Sequence, residues 1–405
     1  MMVEKVTVIS KIVIFACLMY GGSGLAAPVF HNGGRGSCSG CHGRPSAASA
    51  IAFGNNSSNM AANLKGGDPT STCLACHEAP IGTRQPQEYF VATNEADMPP
   101  GLPPAQLTPG GDFGWLKKNY PSSDGSTHGH NLASFDLNAA GSSDRTAPGG
   151  NYPASALTCI SCHDPHGNYR RSADGNISTS GLPIMASGSY NNSPDPDANG
   201  TVGTYRLLAG RGYQPKYIKK GNYAFTADPP AAVAPANYNR AEVQTDTRVA
   251  YGSGMSEWCK NCHKIAHGDS EGHPAGSSAR FSQEHVDNYM AGATFSNISG
   301  VKIRKYYSSL VPFEMGTRDY ALLKATANSD GSNVKGPAIY VNVMCLSCHR
   351  AHASAWDFMT RGAMLSSLDL RGRSKAEIQR AFYNRSDSLT IARQKSLCNR
   401  CHMME

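Results

Sequence analysis

Six copies of the pattern Cys-x-x-Cys-His recur along this chain of 405 residues. Two thiols three residues apart lie on one face of a helical turn, where they can reach the two vinyl groups of a haem, while the adjacent imidazole can bind the iron. Zinc would require paired half-sites and gives no reason for a His in every copy. Chance and simple disulfides leave the recurring His equally unexplained. The pattern therefore predicts six covalently bound haem c groups.

Each motif is expected to supply two thioether anchors and one proximal iron ligand. The anchors are Cys38, Cys41, Cys73, Cys76, Cys159, Cys162, Cys259, Cys262, Cys345, Cys348, Cys398 and Cys401. The proximal ligands are His42, His77, His163, His263, His349 and His402. The motifs are unevenly spaced and no other repeat accompanies them.

The first 26 residues have the composition of a secretory signal. Lys5 and Lys11 form its basic region, residues 12–20 form its apolar stretch, and Gly24-Leu-Ala26 is a small-residue cleavage site. We therefore expect residues 27–405 to form a single exported hexahaem domain. Export agrees with the site of haem attachment in the bacterial c-type pathway, which lies outside the inner membrane.

The cysteine outside the motifs, Cys17, lies in this leader. As an alternative to an ordinary signal, residues 14–17 could form a lipobox, but the apolar run before Cys17 is then short. No later segment approaches the ~18 consecutive apolar residues that span a bilayer. The mature chain is expected to be soluble or peripheral to a membrane.

The composition predicts how the mature chain folds. The full chain of 405 residues contains 42 Gly and 24 Pro, and only 17% of its residues are charged. This composition favours loops, short helices and very little sheet. We expect a loop-rich multihaem cytochrome c, mostly coil, in which a chain of haems replaces much of a conventional core. Residues 167–258, which lack Cys, are expected to wrap these haems.

The formal charge of +7 would ordinarily suggest an acidic partner such as nucleic acid. Removing the leader leaves +6, and twelve haem propionates would bring the holoprotein to about −6 if all are ionised. Nucleic acid is therefore excluded as an expected partner. Much of the Lys and Arg is expected to pair with propionates.

Eight His lie outside the motifs, enough for every iron to be bis-His. They are His31, His128, His130, His166, His267, His273, His285 and His352. Three of them, His166, His267 and His352, follow a motif His by three or four residues. At that spacing they lie beside the proximal His on the same side of the porphyrin, so each should bind a neighbouring haem. Met is the rival sixth ligand and would raise the potential.

Two kinds of local pattern remain. Residues 195–200 resemble the start of a calcium loop, but Arg206 stands at the twelfth position, where an EF-hand requires Glu. An ordinary acidic turn is the commoner explanation. Helices are predicted at residues 317–327, at 389–397, and after Ser374, which forms a capping-box pattern with Glu377.

Several longer runs resemble a known family. They are Glu95-Ala-Asp-Met-Pro, Thr108-Pro-Gly-Gly-Asp-Phe-Gly-Trp115-Leu-Lys-Lys118, Cys159-Ile-Ser-Cys-His-Asp-Pro-His-Gly167, Val249-Ala-Tyr-Gly-Ser-Gly-Met-Ser-Glu-Trp-Cys259 and Cys345-Leu-Ser-Cys-His-Arg-Ala-His-Ala-Ser354. The chain is similar here to the OmcS-type hexahaem outer-membrane c-type cytochromes, whose members can polymerise into extracellular nanowires. The resemblance covers nearly all of the mature chain, with the haem motifs in the same order.

The resemblance implies an electron carrier, not an enzyme, that conducts electrons along low-potential bis-His haems. It implies location at the outer-membrane surface or outside the cell, with other multihaem cytochromes, metal oxides, electrodes or partner cells as electron partners. It also implies distal ligands at His31, His130, His166, His267, His273 and His352, with His128 and His285 as extras. The alternatives are a periplasmic shuttle and, less favoured, a multihaem oxidoreductase with an open iron, since all six motifs end in His.

One position departs from the family pattern. Filament formers carry a His three residues after the first motif, and it binds the fifth haem of the neighbouring protomer. This chain has Pro45 there. The chain is therefore expected either not to polymerise or to use another ligand. His31, on a Gly-rich segment, could bind a haem of its own chain or donate to the next protomer.

Overall fold

The computed structural model describes residues 38–43, 64–85, 89–134, 139–140, 145–218, 221–235, 249–264, 273–294, 311–328, 337–363, 370–381, 397–398 and 401–402. The leader, His31, Pro45, His267 and the helix expected at 389–397 lie outside these residues. Part or all of every haem motif lies within them.

The α-helices of the described residues are short, and the longest has 12 residues. They are α1 (Cys38–Cys41), α2 (Pro69–His77), α3 (Met255–Cys259), α4 (Gln283–Thr294), α5 (Tyr320–Asn328), α6 (Cys345–Cys348) and α7 (Lys375–Ala381). Single 3₁₀ turns lie at Glu95–Asp97, Phe113–Lys117, Gly125–Thr127, Ala154–Ala156, Cys159–Ser161, Tyr205–Leu207 and Asp357–Met359. Four of the α-helices, α1, α2, α3 and α6, contain Cys residues of the haem motifs.

The described strands have two or three residues each. They are β1 (Ala133–Ser134), β2 (Ala139–Ala140), β3 (Arg170–Arg171), β4 (Ile177–Ser178), β5 (Ile184–Ala186), β6 (Thr201–Gly203), β7 (Ala232–Val233) and β8 (Ala250–Tyr251). Strands β1 and β2 pair, β7 and β8 pair, and the order β4-β3-β6-β5 forms a small sheet. All pairs are antiparallel except β5 with β6. The expected loop-rich fold with minimal sheet is confirmed.

Two of the three helices predicted from local patterns lie within the described residues, and both form next to the residues that cap them. At the start of α7, the Ser374 amide donates to Glu377 Oε2 at 2.8 Å and the Glu377 amide donates to Ser374 Oγ at 3.1 Å, which is a capping box. Helix α5 begins three residues after the predicted start, because Asp319 accepts a hydrogen bond from the Leu322 amide at 3.0 Å. The described residues include no helix long and apolar enough to cross a bilayer.

Small hydrophobic clusters hold the loops together. One cluster packs β6, β7, β8 and α5 around Val202, Val233 and Leu323, each fully buried. Another brings Trp115 against Trp356 and Ala381. The second cluster joins parts of the chain more than 200 residues apart, so it fixes the region after the fifth motif against the loop before His128 and His130.

The acidic turn at residues 195–200 has its carboxylates already engaged. Asp197 Oδ1 accepts from the Asn199 amide at 2.7 Å and from the Gly200 amide at 3.0 Å. Asp195 pairs with Lys324 Nζ at 2.9 Å. The turn therefore has a structural explanation that requires no calcium.

Candidate haem sites

Each motif forms a tight turn that fixes the His relative to the first Cys. In four motifs the His amide donates to the carbonyl of that Cys, at 3.0 Å for His163, 3.1 Å for His263, 2.9 Å for His349 and 3.1 Å for His402. His77 ends α2 directly after Cys73 and Cys76. The two thiols and the imidazole are thus held by one turn of backbone, as covalent haem attachment requires.

Four of the motif imidazoles are oriented by backbone carbonyls. The Nδ1 atoms lie 2.8 Å from Tyr89 O for His77, 2.8 Å from Arg206 O for His163, 2.9 Å from Pro148 O for His263 and 2.8 Å from Phe358 O for His349. A carbonyl can only accept, so the proton lies on Nδ1 and the Nε2 lone pair faces outward. This is the tautomer that binds a metal through Nε2.

Two of these carbonyls belong to strained turns of the same form. Arg206 and Leu207 have φ values of 52° and 56°, and Phe358 and Met359 have 57° and 50°. Left-handed backbone is uncommon for residues other than Gly, and it persists at sites where the surroundings enforce it. Hydrogen bonds from the motif segments hold these turns in place. The Asp164 amide donates to Leu207 O, and the Arg350 amide donates to Met359 O.

Four motif imidazoles face a spare imidazole across a gap. The ring centres are 6.3 Å apart for His42 and His166, 6.0 Å for His263 and His130, 6.5 Å for His163 and His352, and 5.9 Å for His402 and His273. An imidazole nitrogen binds a metal at ~2 Å with its ring centre roughly 1 Å behind, so two axial imidazoles on one metal have centres ~6 Å apart. All four gaps fit one iron.

The spare His130 and His352 are placed by a three-stranded ladder of loop segments. The His130 amide donates to His352 O at 2.9 Å, and the His352 amide donates to Gly110 O at 2.7 Å. A Cβ at Gly110 would lie 2.5 Å from His352 Nδ1, and a Cβ at Gly129 would lie 2.4 Å from His352 O. Glycine is required at both positions, because a side chain at 110 would collide with the His352 imidazole and one at 129 with the His352 carbonyl.

The surrounding protein keeps these two imidazoles neutral. Desolvation lowers the pKa of His130 to about 4 and that of His352 to about 3. His130 Nδ1 also contacts Ala351 O at 2.8 Å, and His352 stacks on Phe113 with ring centres 4.7 Å apart. A neutral, oriented imidazole is the form that can donate a lone pair to iron.

The two extra His have other contacts. His128 is fully buried, with Nδ1 at 2.9 Å from Trp115 O and Nε2 at 2.6 Å from Ser123 Oγ. Both ring nitrogens are thus engaged within the protein. His285 lies beside the sixth motif, with its ring centre 4.6 Å from that of His402 and its Nδ1 at 2.9 Å from Ser282 Oγ. That separation is shorter than the ~6 Å expected across a shared metal.

Successive motifs are neighbours in space. The pKa of the Cys41 thiol is raised by burial and by the nearby thiols of Cys73 and Cys76. Cys73 lies within hydrogen-bond distance of Cys159. Burial and, less strongly, the nearby Cys262 raise the pKa of Cys162 to about 12. The first five motifs therefore follow one another in sequence order, with the fourth and fifth joined by the contact of the Cys259 and Cys345 thiols.

The sixth motif is held by one loop and by helix α4. The Leu397 amide donates to Ala363 O at 3.0 Å, and Asn288 Nδ2 donates to Cys401 O at 3.2 Å. These contacts place the motif beside α4, which carries His285. Of the remaining expected ligands, His31 and His267 lie outside the described residues, as does the side chain of Cys38.

Sequence reasoning missed the carbonyls that orient the motif His. Every residue carries a carbonyl, and the strained pairs at 206–207 and 358–359 contain no Gly to mark a left-handed turn. No residue type in the sequence points to them. The sequence likewise did not predict that His128 bonds to Trp115 O and Ser123 Oγ, because these contacts depend on how the chain packs.

The motif turns, the oriented imidazoles and the iron-sized gaps define a multihaem c-type cytochrome. No protein-family model matches the chain. Among curated proteins it is 44% identical over 411 residues to the C-type cytochrome OmcS of Geobacter sulfurreducens, covering 93% of this chain and 94% of that protein. The chain therefore belongs to the OmcS family of c-type cytochromes.

Two solved structures have a similar fold. The cryo-EM structure of the OmcS nanowires from Geobacter sulfurreducens aligns with a TM-score of 0.78 and 44% identity, covering 92% of this chain and 99% of that one. The outer membrane cytochrome S filament from the same organism aligns with a TM-score of 0.77 and 43% identity, with the same coverage. The likeness extends over almost the whole fold.

Proposed function

We propose that this chain conducts electrons along six covalently bound haems, each held by two imidazoles, at the outer surface of the cell. Haem iron with both axial positions filled by His accepts and releases one electron and has no open position for a substrate. The chain's own residues supply twelve thioether anchors, six motif imidazoles and the imidazoles that face them.

The observation that carries this proposal is the set of four imidazole pairs, because two of them join different motifs in a regular way. His166 follows the third motif and faces His42 of the first, and His352 follows the fifth motif and faces His163 of the third. Each spare His thus serves the motif two positions earlier. A ligand carried by one motif then fixes the distance to another, which builds the short separations that electron transfer requires.

The same rule extends to the ligands outside the described residues. His267 follows the fourth motif and would serve the second, at His77. Applied to the first motif, the rule points to Pro45, which has no side-chain donor for iron. We assign His31 as the replacement, and its iron could lie in its own chain or in a neighbouring copy. We place His130 on the iron of His263 and His273 on that of His402.

Location and partners are proposed from the leader and the relatives. Cleavage after residue 26 would release residues 27–405 as one secreted domain, and the relatives are described as an outer-membrane cytochrome filament and as nanowires. By this likeness the chain would assemble with copies of itself, receive electrons from other multihaem cytochromes and deliver them to extracellular acceptors such as metal oxides.

Intact-mass spectrometry combined with electron paramagnetic resonance tests the proposal. The mature protein should carry six haems that resist acid-acetone extraction, and the oxidised protein should be low-spin throughout. Well-matured protein with five or fewer haems would overturn the count. A high-spin iron that persists in the assembled filament would overturn the closed coordination.

A further inference from the structure

A buried group of acidic and amide side chains lies between the fourth and fifth haem motifs, outside the sites described above. Glu257 lies on α3, two residues before Cys259, and Asn342 lies three residues before Cys345. Glu314 completes the group from a separate loop. Glu314 is 0% exposed and Asn342 is 2% exposed.

The backbone brings Glu314 and Asn342 together. The Glu314 amide donates to Asn342 O at 3.0 Å, and the Asn342 amide donates to Glu314 O at 2.8 Å. Directly opposed residues of an antiparallel pair form this pattern. Opposed residues of such a pair project their side chains to the same face. A second bridge joins Glu314 to Tyr251, just before α3.

Ser277 links Glu257 to Asn342, and Asn342 in turn contacts Glu314. Asn342 Nδ2 donates to Ser277 O and to Glu314 Oε1, both at 3.4 Å. Glu257 Oε1 accepts from the Ser277 amide and from Ser277 Oγ, both at 3.0 Å. Gly276 has φ +106°, and a Cβ there would lie 2.6 Å from Glu257 Oε1, so the turn is shaped around this carboxylate.

Three oxygen atoms of the group are buried without a donor. They are Glu257 Oε2, Glu314 Oε2 and Asn342 Oδ1. Among the ion pairs of the described residues, none involves either carboxylate. Buried acceptors without donors, including two from carboxylates, are costly unless positive charge is nearby.

The electrostatics agree with a missing positive charge. Burial and, next, the charge of Glu257 raise the pKa of Glu314 to about 7. Burial also acts to raise the pKa of Glu257, but hydrogen bonds from Ser277 and from its own amide, with a smaller effect of the Lys260 charge, outweigh it and the pKa is lowered. Glu257 is thus held ionised beside a carboxyl whose ionisation is opposed.

We propose that Glu257, Glu314 and Asn342 bind a divalent cation of the calcium type. Calcium takes about six to eight oxygen ligands in flexible arrangements, and both carboxylate and amide oxygens suit it. The cation would neutralise the two carboxylates and give all three unsatisfied oxygens a partner. Because the ligands come from α3, from the loop at 314 and from the segment before α6, it would also tie the fourth haem motif to the fifth.

Calcium content and thermal unfolding of the holoprotein test the site. The wild type, stripped with EGTA and reloaded with calcium chloride, should carry one more calcium ion per chain than the Glu314→Gln variant. Its unfolding temperature should rise by a few degrees on reloading. The Glu314→Gln variant should show no such rise, and without calcium it should unfold at or above the temperature of the stripped wild type.

The control is Asp195→Asn, which removes a carboxylate from the exposed acidic turn and should respond to calcium as the wild type does. Asn342→Asp adds a third carboxylate and should strengthen calcium binding several-fold. Equal calcium content and equal response in wild type and Glu314→Gln would overturn the proposal. So would a wild type that is indifferent to calcium, because a proton on Glu314 would then suffice.

Discussion

The third and fifth haem motifs build the same site from different lengths of chain. At the third, the carbonyl that orients His163 comes from Arg206, 43 residues later, whereas at the fifth the carbonyl for His349 comes from Phe358, nine residues later. Both carbonyls lie in left-handed turns of matching φ. The orientation of the motif imidazole is therefore fixed by the turn and by the hydrogen bonds that hold it. The length of the loop between the motif and the turn can differ.

The spare His that follow these two motifs differ in their surroundings. His352 lies in the ladder between Gly110 and His130 and stacks on Phe113. His166 has a side chain 67% exposed, and it lies 3.6 Å from the buried Asp164. The comparison indicates an interior ligand after the fifth motif and an edge ligand after the third. The following variants test how far that difference extends.

His352→Ala should have the largest effect. The iron at His163 would lose its second imidazole, and the ladder would lose the ring that packs on Phe113. We expect one high-spin haem and a clear fall in unfolding temperature, with six haems still attached by mass. His128→Gln is the matched control, because it alters a buried His whose ring nitrogens are already bonded to Trp115 and Ser123. Its irons should all remain low-spin.

His166→Ala should also give one high-spin haem, at His42, but with a smaller loss of stability, because protein atoms leave 67% of that side chain uncovered. Electron paramagnetic resonance and intact mass measure the two parts of this prediction. Loss of the haem anchored at Cys159 and Cys162 would show that His166 supports its own motif. An equal loss of stability in the two His variants would remove the distinction between interior and edge.

Gly110→Ala should disturb the site of His352 without removing a ligand. The new methyl group would lie 2.5 Å from Nδ1, so the imidazole must shift, at a cost of about 1–3 kcal/mol. We expect altered low-spin signals for one haem. Gly43→Ala makes the same change beside the first motif, where the nearest atom is 3.7 Å away. It should leave the spectrum unchanged, and an identical response of both variants would contradict the assigned contact.

Phe358→Gly should have the smallest effect, and it should raise the free energy of unfolding where the other variants lower it. Relief of left-handed strain is worth about 1–2 kcal/mol and is partly offset by the backbone entropy of Gly, so a gain of roughly 0.5 kcal/mol is expected. The Phe358 side chain is 68% exposed and loses little packing. Arg206→Gly should show no gain, because Arg206 donates to Tyr190 at 2.8 Å and lies over its ring. Denaturant unfolding compares the two.

Much of this site follows from local sequence, and the rest depends on packing between distant segments. The turn of each motif and the capping box at Ser374 are local, so residue spacing was enough to predict them. Helical geometry also predicted that His166 and His352 would each bind a neighbouring haem, because they lie on the same side of the porphyrin as their own proximal His. Which motif they would face could not be predicted, because more than 100 residues of chain separate each of these His from the motif imidazole that it faces.

His128 and His130 also show that distant packing, which the local sequence does not reveal, decides the role of a residue. His128 and His130 are two residues apart, yet one is locked between Trp115 and Ser123 while the other faces His263. Nothing in their immediate sequence separates these roles. The change of backbone between them does, since His128 caps the 3₁₀ turn at Gly125–Thr127 with helical φ and ψ, whereas His130 lies in the ladder with residues 351–354.

In the proposed arrangement, each spare His that follows a motif by three or four residues binds the iron of the motif two positions earlier. A cryo-EM map of the holoprotein measures this directly through its iron–nitrogen bonds. We expect His166 Nε2 on the iron of His42 and His352 Nε2 on the iron of His163. A map in which either imidazole is unbound, or binds an iron of another motif, would contradict it.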